Sequence, residues 1–292
     1  MTHDLCKHRC LATASILCLS LCSYAQSAVS VQNDLPDKAN IIQQMRTLYY
    51  TPTTAGLRSF SCHATIDWRA VLQNAAAGKE LAANDPRILY LNQNSLSFRL
   101  KLDGDTEVVW NSPPGPPPGN AAAFDQMKNG TIGMLRGFTK VWTVFLNGTL
   151  LPLPAEKDYQ LTRGEDGVFD LVASHPETIV EEKFTANYTM TEYHVKTGAL
   201  DVDFFPTFAK TADGLLLTEL AGTYASGTPA IAHITLHGGY QEVGGYQVLQ
   251  KFDVALLNVG RFSFTFDNCQ VNQDDPLPGV VAPSAAVPNK TN

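Results

Sequence analysis

The 292-residue sequence lacks the short motifs that betray many enzymes. It has no His-Glu-x-x-His, no Gly-x-Ser-x-Gly, no phosphate-cradling glycine-rich loop and no Cys-x-x-Cys. The zinc-protease, serine-hydrolase, nucleotide-loop and dithiol-redox readings that rest on those motifs fall with them. After the first 25 residues nothing is apolar for long enough to cross a bilayer as a helix, which takes about 20 residues. Basic residues are scarce as well: 21 Lys and Arg face 28 Asp and Glu. An acidic balance argues against nucleic acid and against anionic membrane surfaces as electrostatic partners.

What is present at the start is the layout of a secretory signal over residues 1–25. Lys7 and Arg9 form a short basic start, Leu11 to Cys22 an apolar run, and Ser23-Tyr24-Ala25 a small-residue cleavage site before Gln26. Acylation of Cys22 is the alternative, although Leu21 is bulky where a lipid-attachment site wants a small residue. The expected mature chain carries no transmembrane anchor and works in the periplasm or outside the cell, with a net charge of about −8 and enough length for one large β-domain or two small ones. Cleavage also removes Cys6, Cys10, Cys18 and Cys22, leaving Cys62 and Cys269. In an oxidising compartment such a distant pair reads as a structural disulfide, ahead of a redox couple or half a metal site. Closing so long a loop is worth about 5 kcal/mol on the chain-entropy account.

Residues 26–33 read as a linker. Asp34 looks like an N-cap with Pro36 in the first turn, and Ala39, Ile42, Met45 and Tyr49 recur at helical spacing, which predicts a helix over 34–50. From Ser59 the period becomes two: Phe60, Cys62, Ala64, Ile66 and Trp68 share one face of a strand. A short helix at 69–77 and a loop over 78–86 follow. Leu96, Phe98, Leu100 and Leu102 then alternate with Ser95, Ser97, Arg99 and Lys101, and Asp103-Gly104 turns the chain into a return strand from Glu107. Residues 111–119, Asn-Ser-Pro-Pro-Gly-Pro-Pro-Pro-Gly, form a stiff connector. Residues 120–147 are a helical insertion with a wide aromatic face, including Phe138, Val141, Trp142 and Phe145. Gly130, Gly133 and Gly137 interrupt it, so it is either two helices or one weak one. The remainder is strands over 159–162, 168–173, 179–195, 199–209, 215–224, 231–237, 246–257 and 261–271, with hairpin chemistry between them. In the last of these, Phe262, Phe264 and Phe266 share a face while Cys269 has the opposite parity, so bonding to Cys62 requires a bulge near Asp267-Asn268. The tail over 273–292 reads as disordered.

The predicted class is α+β, mainly antiparallel β. The order of elements, with Ile41-Ile42-Gln43-Gln44-Met45-Arg46 running into Leu57-Arg58-Ser59-Phe60-Ser61-Cys62, resembles the outer-membrane lipoprotein carrier (LolA-like) superfamily. So does the ending Gly244-Gly245-Tyr246, Phe262-Ser263-Phe264-Thr265-Phe266 and Val271-Asn272. The resemblance spans residues 34–272 as a single domain, and departs from the family in the Pro-rich connector and the greater length. It implies a curved half-barrel sheet, covered on its concave side by a few helices, with an apolar cavity for acyl chains. Trp68, Phe98, Leu100, Phe138, Trp142, Phe145, Phe204 and Phe264 are the candidates to line it. Whether helix and sheet leave a cavity or pack completely is open at this stage.

Other clusters are weak. His233 and His237 are four apart, which would chelate a metal on a helix, but their frame is β-like. Asp201 and Asp203 share a strand face at a spacing that could suit paired carboxylates in glycoside hydrolysis, though solvated acids are the plainer account. Asp103-Gly-Asp105-Thr-Glu107 lacks the remaining ligands of a calcium loop. Asn129, Asn147, Asn187 and Asn289 head Asn-x-Thr sequons. The resulting expectation is a non-catalytic binding or carrier protein for an apolar small molecule or lipid, an acylated peptide included, without cofactor or metal. The alternatives are an envelope component that meets a protein partner and, third, a carboxylate-dependent hydrolase.

Overall fold

A meander that doubles back on itself accounts for the whole sheet. The computed structural model describes residues 34–75, 80–148, 150–152, 158–198, 200–226, 232–257, 259–275 and 277. The expected export signal with its four cysteines, the expected 26–33 linker, the Asn289 sequon and the end of the tail lie outside the described residues. Among the described residues four helices, α1 (Lys38–Leu48), α2 (Trp68–Ala75), α3 (Pro86–Leu91) and α4 (Ala121–Leu146), accompany twelve strands. Strands β1 (Ser59–Ile66), β2 (Ser95–Lys101) and β3 (Thr106–Asn111) step outward to one edge. Helix α4, about 39 Å long at 1.5 Å per residue, then precedes the opposite edge. From there β4 (Tyr159–Arg163), β5 (Phe169–His175), β6 (Thr178–Phe184), β7 (Met190–Thr197), β8 (Leu200–Thr211) and β9 (Gly214–Ser226) step back. They are followed by β10 (Ala232–Val243), β11 (Tyr246–Leu256) and β12 (Gly260–Val271), which closes the path by pairing with β1. The result is one open, curved antiparallel sheet with a few helices.

Curvature has local causes. Register shifts interrupt the β1/β12, β6/β7, β8/β9 and β10/β11 pairings, and each bulge bends its strand and sharpens the twist. Pro206, unable to donate to a ladder, sits next to the shift at Thr207/Phe208. At Gly222 a Cβ would overlap the Asp203 carbonyl across the pair, so only glycine permits that approach of β9 to β8. The alternation read from the sequence holds in β1, where Phe60, Cys62, Ala64 and Ile66 are buried; in β2 the apolar Leu96, Phe98 and Leu100 are buried as read.

The cross-link is formed as expected. Cys62 and Cys269 are bonded with Cα atoms 4.1 Å apart. The β1/β12 register passes from Ser61↔Gln270 to His63↔Asp267, so Cys62 faces two residues of β12. Asn268, at φ +50°, is the extra one, and it corrects the parity of Cys269. Asn tolerates the left-handed region better than most residues.

Several expectations need correction. Helix α1 starts at Lys38 with Asp37 at its N-cap position, and Asp34 is recruited elsewhere. The Asp34 carboxylate accepts from the Leu161 N–H (3.0 Å) and from Lys38 Nζ (2.6 Å), while the Leu35 N–H donates to the Leu161 carbonyl (2.9 Å). These bonds cover part of the β4 edge, which would otherwise leave backbone groups unpaired. The loop predicted to end at 86 leads into α3, capped by Asp85 accepting from the Arg87 N–H (2.9 Å) with Pro86 in its first turn. The single strand expected over 179–195 is the β6–β7 hairpin, turning at Thr185–Thr189 with Tyr188 at φ +65°. Ser97 and Arg99, read as solvent-facing, are buried. The early tail accompanies this burial: Arg99 donates to Glu107 (3.1 Å) and to the Asp275 carbonyl, and Leu277 is buried.

Helix α4 is continuous despite its glycines. Asn120 caps it by accepting from the Ala122 and Ala123 N–H groups. A Cβ built at Gly130, Gly133 or Gly137 would meet nothing within 4 Å. Glycine costs about 0.5–1 kcal/mol against alanine at an open helical position. Each Gly→Ala change should therefore raise the urea unfolding free energy by about that much. A loss of stability at any of the three would show that this face is packed against something.

Candidate functional site

Three tyrosines fix the shape of a cleft of about 580 Å³ at one end of the sheet. After α1 the chain becomes extended, and Tyr49 bridges to Leu215 while the Tyr50 N–H donates to the Leu215 carbonyl (2.9 Å). The Tyr49 hydroxyl donates to the Tyr188 carbonyl (2.8 Å) and accepts from the Met190 N–H (2.7 Å). The Tyr50 hydroxyl accepts from the Gln247 N–H (2.8 Å), and the Tyr246 hydroxyl donates to the Ala55 carbonyl (2.8 Å). With their polar tips tied to backbone, the rings supply apolar wall. Burial pushes the Tyr49 and Tyr50 hydroxyls above the usual phenol range, so both stay neutral.

The remaining wall comes from Phe145, Leu150, Leu151 and Met190, and the polar lining from Gln43, Arg46, Thr47, Thr51, Thr54, Asn147 and Asp213. Arg46 donates to the Pro152 carbonyl (3.1 Å) and to the Leu151 carbonyl, holding the segment after α4 against α1. An apolar interior with a few polar groups is the usual make-up of a small-molecule site. The Asn147 amide nitrogen donates to the Leu102 carbonyl, and its Oδ1 is buried without a partner.

One residue behind this wall was not legible in the sequence. Glu182 of β6 is 1 % exposed, and neither carboxyl oxygen has a hydrogen-bond partner. It lies opposite Tyr193 of β7 and Leu171 of β5. Tyr193 packs edge-on against Phe145 with ring centroids 5.4 Å apart, and Phe184, two residues on from Glu182, pairs with Met190. Burial raises the carboxyl pKa well above its ordinary 4.5. Burial likewise raises the nearby Tyr49 and Tyr193 hydroxyls, with a smaller contribution from Glu182 itself.

A carboxyl with a raised folded-state pKa keeps its proton in the folded chain after the unfolded chain has lost it. Its effect on stability therefore appears as pH rises past 4.5 and destabilises progressively until the folded pKa is passed. Glu182→Leu should raise the unfolding free energy at pH 8 by about 1–3 kcal/mol, the cost of a buried unpartnered polar group, with a smaller gain at pH 4. Urea midpoints of the two proteins at both pH values check this; a gain that shrinks as pH rises would contradict it.

A second, smaller cleft of about 250 Å³ lies at the other end of β1, lined by Ala64, Ile66, Trp68, Leu91, Leu96 and Trp110 with Thr65, Asn92 and Asn94. The two indoles are 5.5 Å apart, and Trp110 Nε1 donates to Asn94 Oδ1 (2.8 Å).

The eight cavity candidates are thus divided. Phe145 lines the larger cleft and Trp68 the smaller. Phe98, Leu100, Trp142, Phe204 and Phe264 are buried in the core, and Phe138 packs partly buried against it. The aromatic face of α4 does meet the sheet, mostly as solid packing. Asp201 and Asp203 lie on the face opposite the buried Val202 and Phe204, and neither lines the two clefts described. Asp201 is half exposed beside His194 (3.8 Å) and Lys196 (3.9 Å). His233 and His237 are exposed on β10, with Glu219 3.9 Å from His237. Among the described residues no three His, Cys, Asp or Glu are grouped to hold a metal, and no helix is long and apolar enough to cross a membrane.

No protein-family model, curated protein or solved structure matches this chain.

Proposed function

We propose that this is an exported, non-catalytic binding or carrier protein whose apolar ligand, a lipid or an acylated peptide, sits in the cleft between α1, the end of α4 and the sheet. The observation that carries the reading is the cleft itself: about 580 Å³, walled by Tyr49, Tyr50, Phe145, Leu151, Met190 and Tyr246 and polar at its rim. That volume falls within the range of ligand pockets. The site belongs to the end of a curved sheet, in keeping with the carrier-like order of elements. Its polar rim would let a headgroup or peptide remain in water while a chain is buried.

Titration of the delipidated protein with a fluorescent fatty-acyl probe tests this. Binding at micromolar concentration is expected, together with about a tenfold or greater loss in Thr54→Trp, which places an indole at the exposed rim. Absence of binding, or equal binding by Thr54→Trp, would count against the cleft.

A further inference from the structure

The smaller cleft opens where a ladder stops early. Strand β1 stays paired with β12 as far as Ile66↔Phe264, whereas its pairing with β2 ends at Ala64↔Leu96. In an antiparallel sheet the N–H and C=O of one residue face the same neighbouring strand, and successive residues alternate. The Leu102 N–H donates to the Arg58 carbonyl on the β2 side, and the Asp67 N–H to the Ser263 carbonyl on the β12 side. Every second residue of β1 from Arg58, and hence Ile66, turns both backbone groups toward β2. Asn94 stands where the next pair would form, and among the described residues that pair is not made. Asn94 is committed elsewhere: its N–H donates to the Leu91 carbonyl (3.1 Å), its Nδ2 to the Tyr90 (2.9 Å) and Leu91 (3.0 Å) carbonyls, and its Oδ1 accepts from Trp110. The cleft occupies the gap, with Ile66 and Asn94 both in its lining.

We propose that this cleft binds an N-acetylated amino sugar, a single pyranose ring with an acetamido arm. The site is separate from the larger cleft, and the proposal does not rest on what that cleft holds. Its volume of about 250 Å³ lies below the roughly 300–1,000 Å³ of sites for drug-sized ligands and suits one ring. No ionisable side chain lines it, so it offers nothing to offset the desolvation of a charged ligand. Trp110 is only partly buried, and its ring is held by Asn94 and packed 5.5 Å from Trp68. It therefore presents a fixed indole surface for the apolar C–H face of a pyranose. An acetamido group carries one N–H and one C=O, the complement of the acceptor and donor that Ile66 turns into the gap. Asn92, exposed at the rim, supplies an amide to the ring hydroxyls. A plain hexose keeps the ring but lacks the planar amide that answers both backbone groups at once.

N-acetylglucosamine and glucose are the probes, with isothermal titration of the full mature chain as the readout. Wild type should bind N-acetylglucosamine at least about tenfold more tightly than glucose, the worth of two added hydrogen bonds. Asn92→Trp places an indole over the exposed rim, and Trp110→Ala removes the stacking surface. Each should weaken N-acetylglucosamine binding about tenfold or more. Asn92 is exposed, so its variant decides the matter even where Trp110→Ala fails to fold. Equal affinity for the two sugars, no affinity for either, or undiminished binding by Asn92→Trp would overturn the proposal. None of these results bears on alkyl-chain binding in the larger cleft, which the Thr54→Trp comparison tests.

Discussion

Trp142→Ala should lower the unfolding free energy by about 3–5 kcal/mol, the range for removing a large buried aromatic side chain. Trp142 is fully buried and packs edge-on against Phe252 with centroids 5.3 Å apart. Its Nε1 donates to the Tyr240 hydroxyl (2.9 Å), which donates in turn to the Leu217 carbonyl (2.6 Å), so α4 is tied through one ring to β10 and β9. The ring lies so close to β10 that a Cβ at Gly238 would overlap it, and that Cβ would also come within 3.2 Å of Leu249 Cδ2. Alanine at 142 leaves a cavity and takes away the indole that donates to the partly buried Tyr240. Gly238→Ala should cost about 1–3 kcal/mol by overpacking. The double variant should cost less than the sum, because the added methyl enters space the indole has vacated. Urea unfolding of the three proteins measures this. A loss under about 1 kcal/mol for Trp142→Ala would mean that α4 is not anchored at this point.

The second large effect belongs to the cross-link. Replacing Cys62 and Cys269 by alanine should destabilise by up to about 5 kcal/mol, from the chain-entropy value of a bridge with a sequence separation of 207 residues. The bond joins the first strand to the last, where the meander closes, so opening it frees β12 from the covalent partner that shortens every route back to β1. The β1/β12 ladder and the packing of Phe98 against Phe266, at 5.0 Å between ring centroids, remain in the variant. It should therefore still fold at low temperature and unfold at lower urea. A midpoint equal to that of the oxidised wild type would show that the strands are held without help from the bond.

Local patterns made much of the architecture readable. Period two marked β1 and the strands from β8 onward, because one face of each meets the core and the other meets water, while in β2 it marked the core face alone. Asp103-Gly104 and Gly244-Gly245 marked hairpins because those turns require positive φ, which Gly104, Gly244 and Gly245 adopt. Even the parity of Cys269 was informative, since it demanded the bulge that Asn268 supplies. What local pattern could not show is where a second partner lies. Asp34 has every attribute of an N-cap, yet an edge strand more than a hundred residues away claims its carboxylate. Asp85-Pro86 was a helix start in plain view, obscured by the loop-like segment before it. Arg99 alternates like a surface residue and is buried under the early tail. The cleft itself arises where α1, α4 and three turns converge, a coincidence of distant segments. Glu182 was the hardest to foresee. In Glu181-Glu182-Lys183 it looks like one more charge on a wet strand, and only the β6 register turns it inward, on the same face as Phe184.

Native mass spectrometry of the protein purified without detergent tests the binding account most directly. The account predicts a fraction carrying a co-purified adduct of lipid mass, released by organic extraction and replaceable by an added alkyl-chain probe in wild type but not in Thr54→Trp. A single population at the bare polypeptide mass that also takes up no alkyl-chain probe after extraction would contradict it.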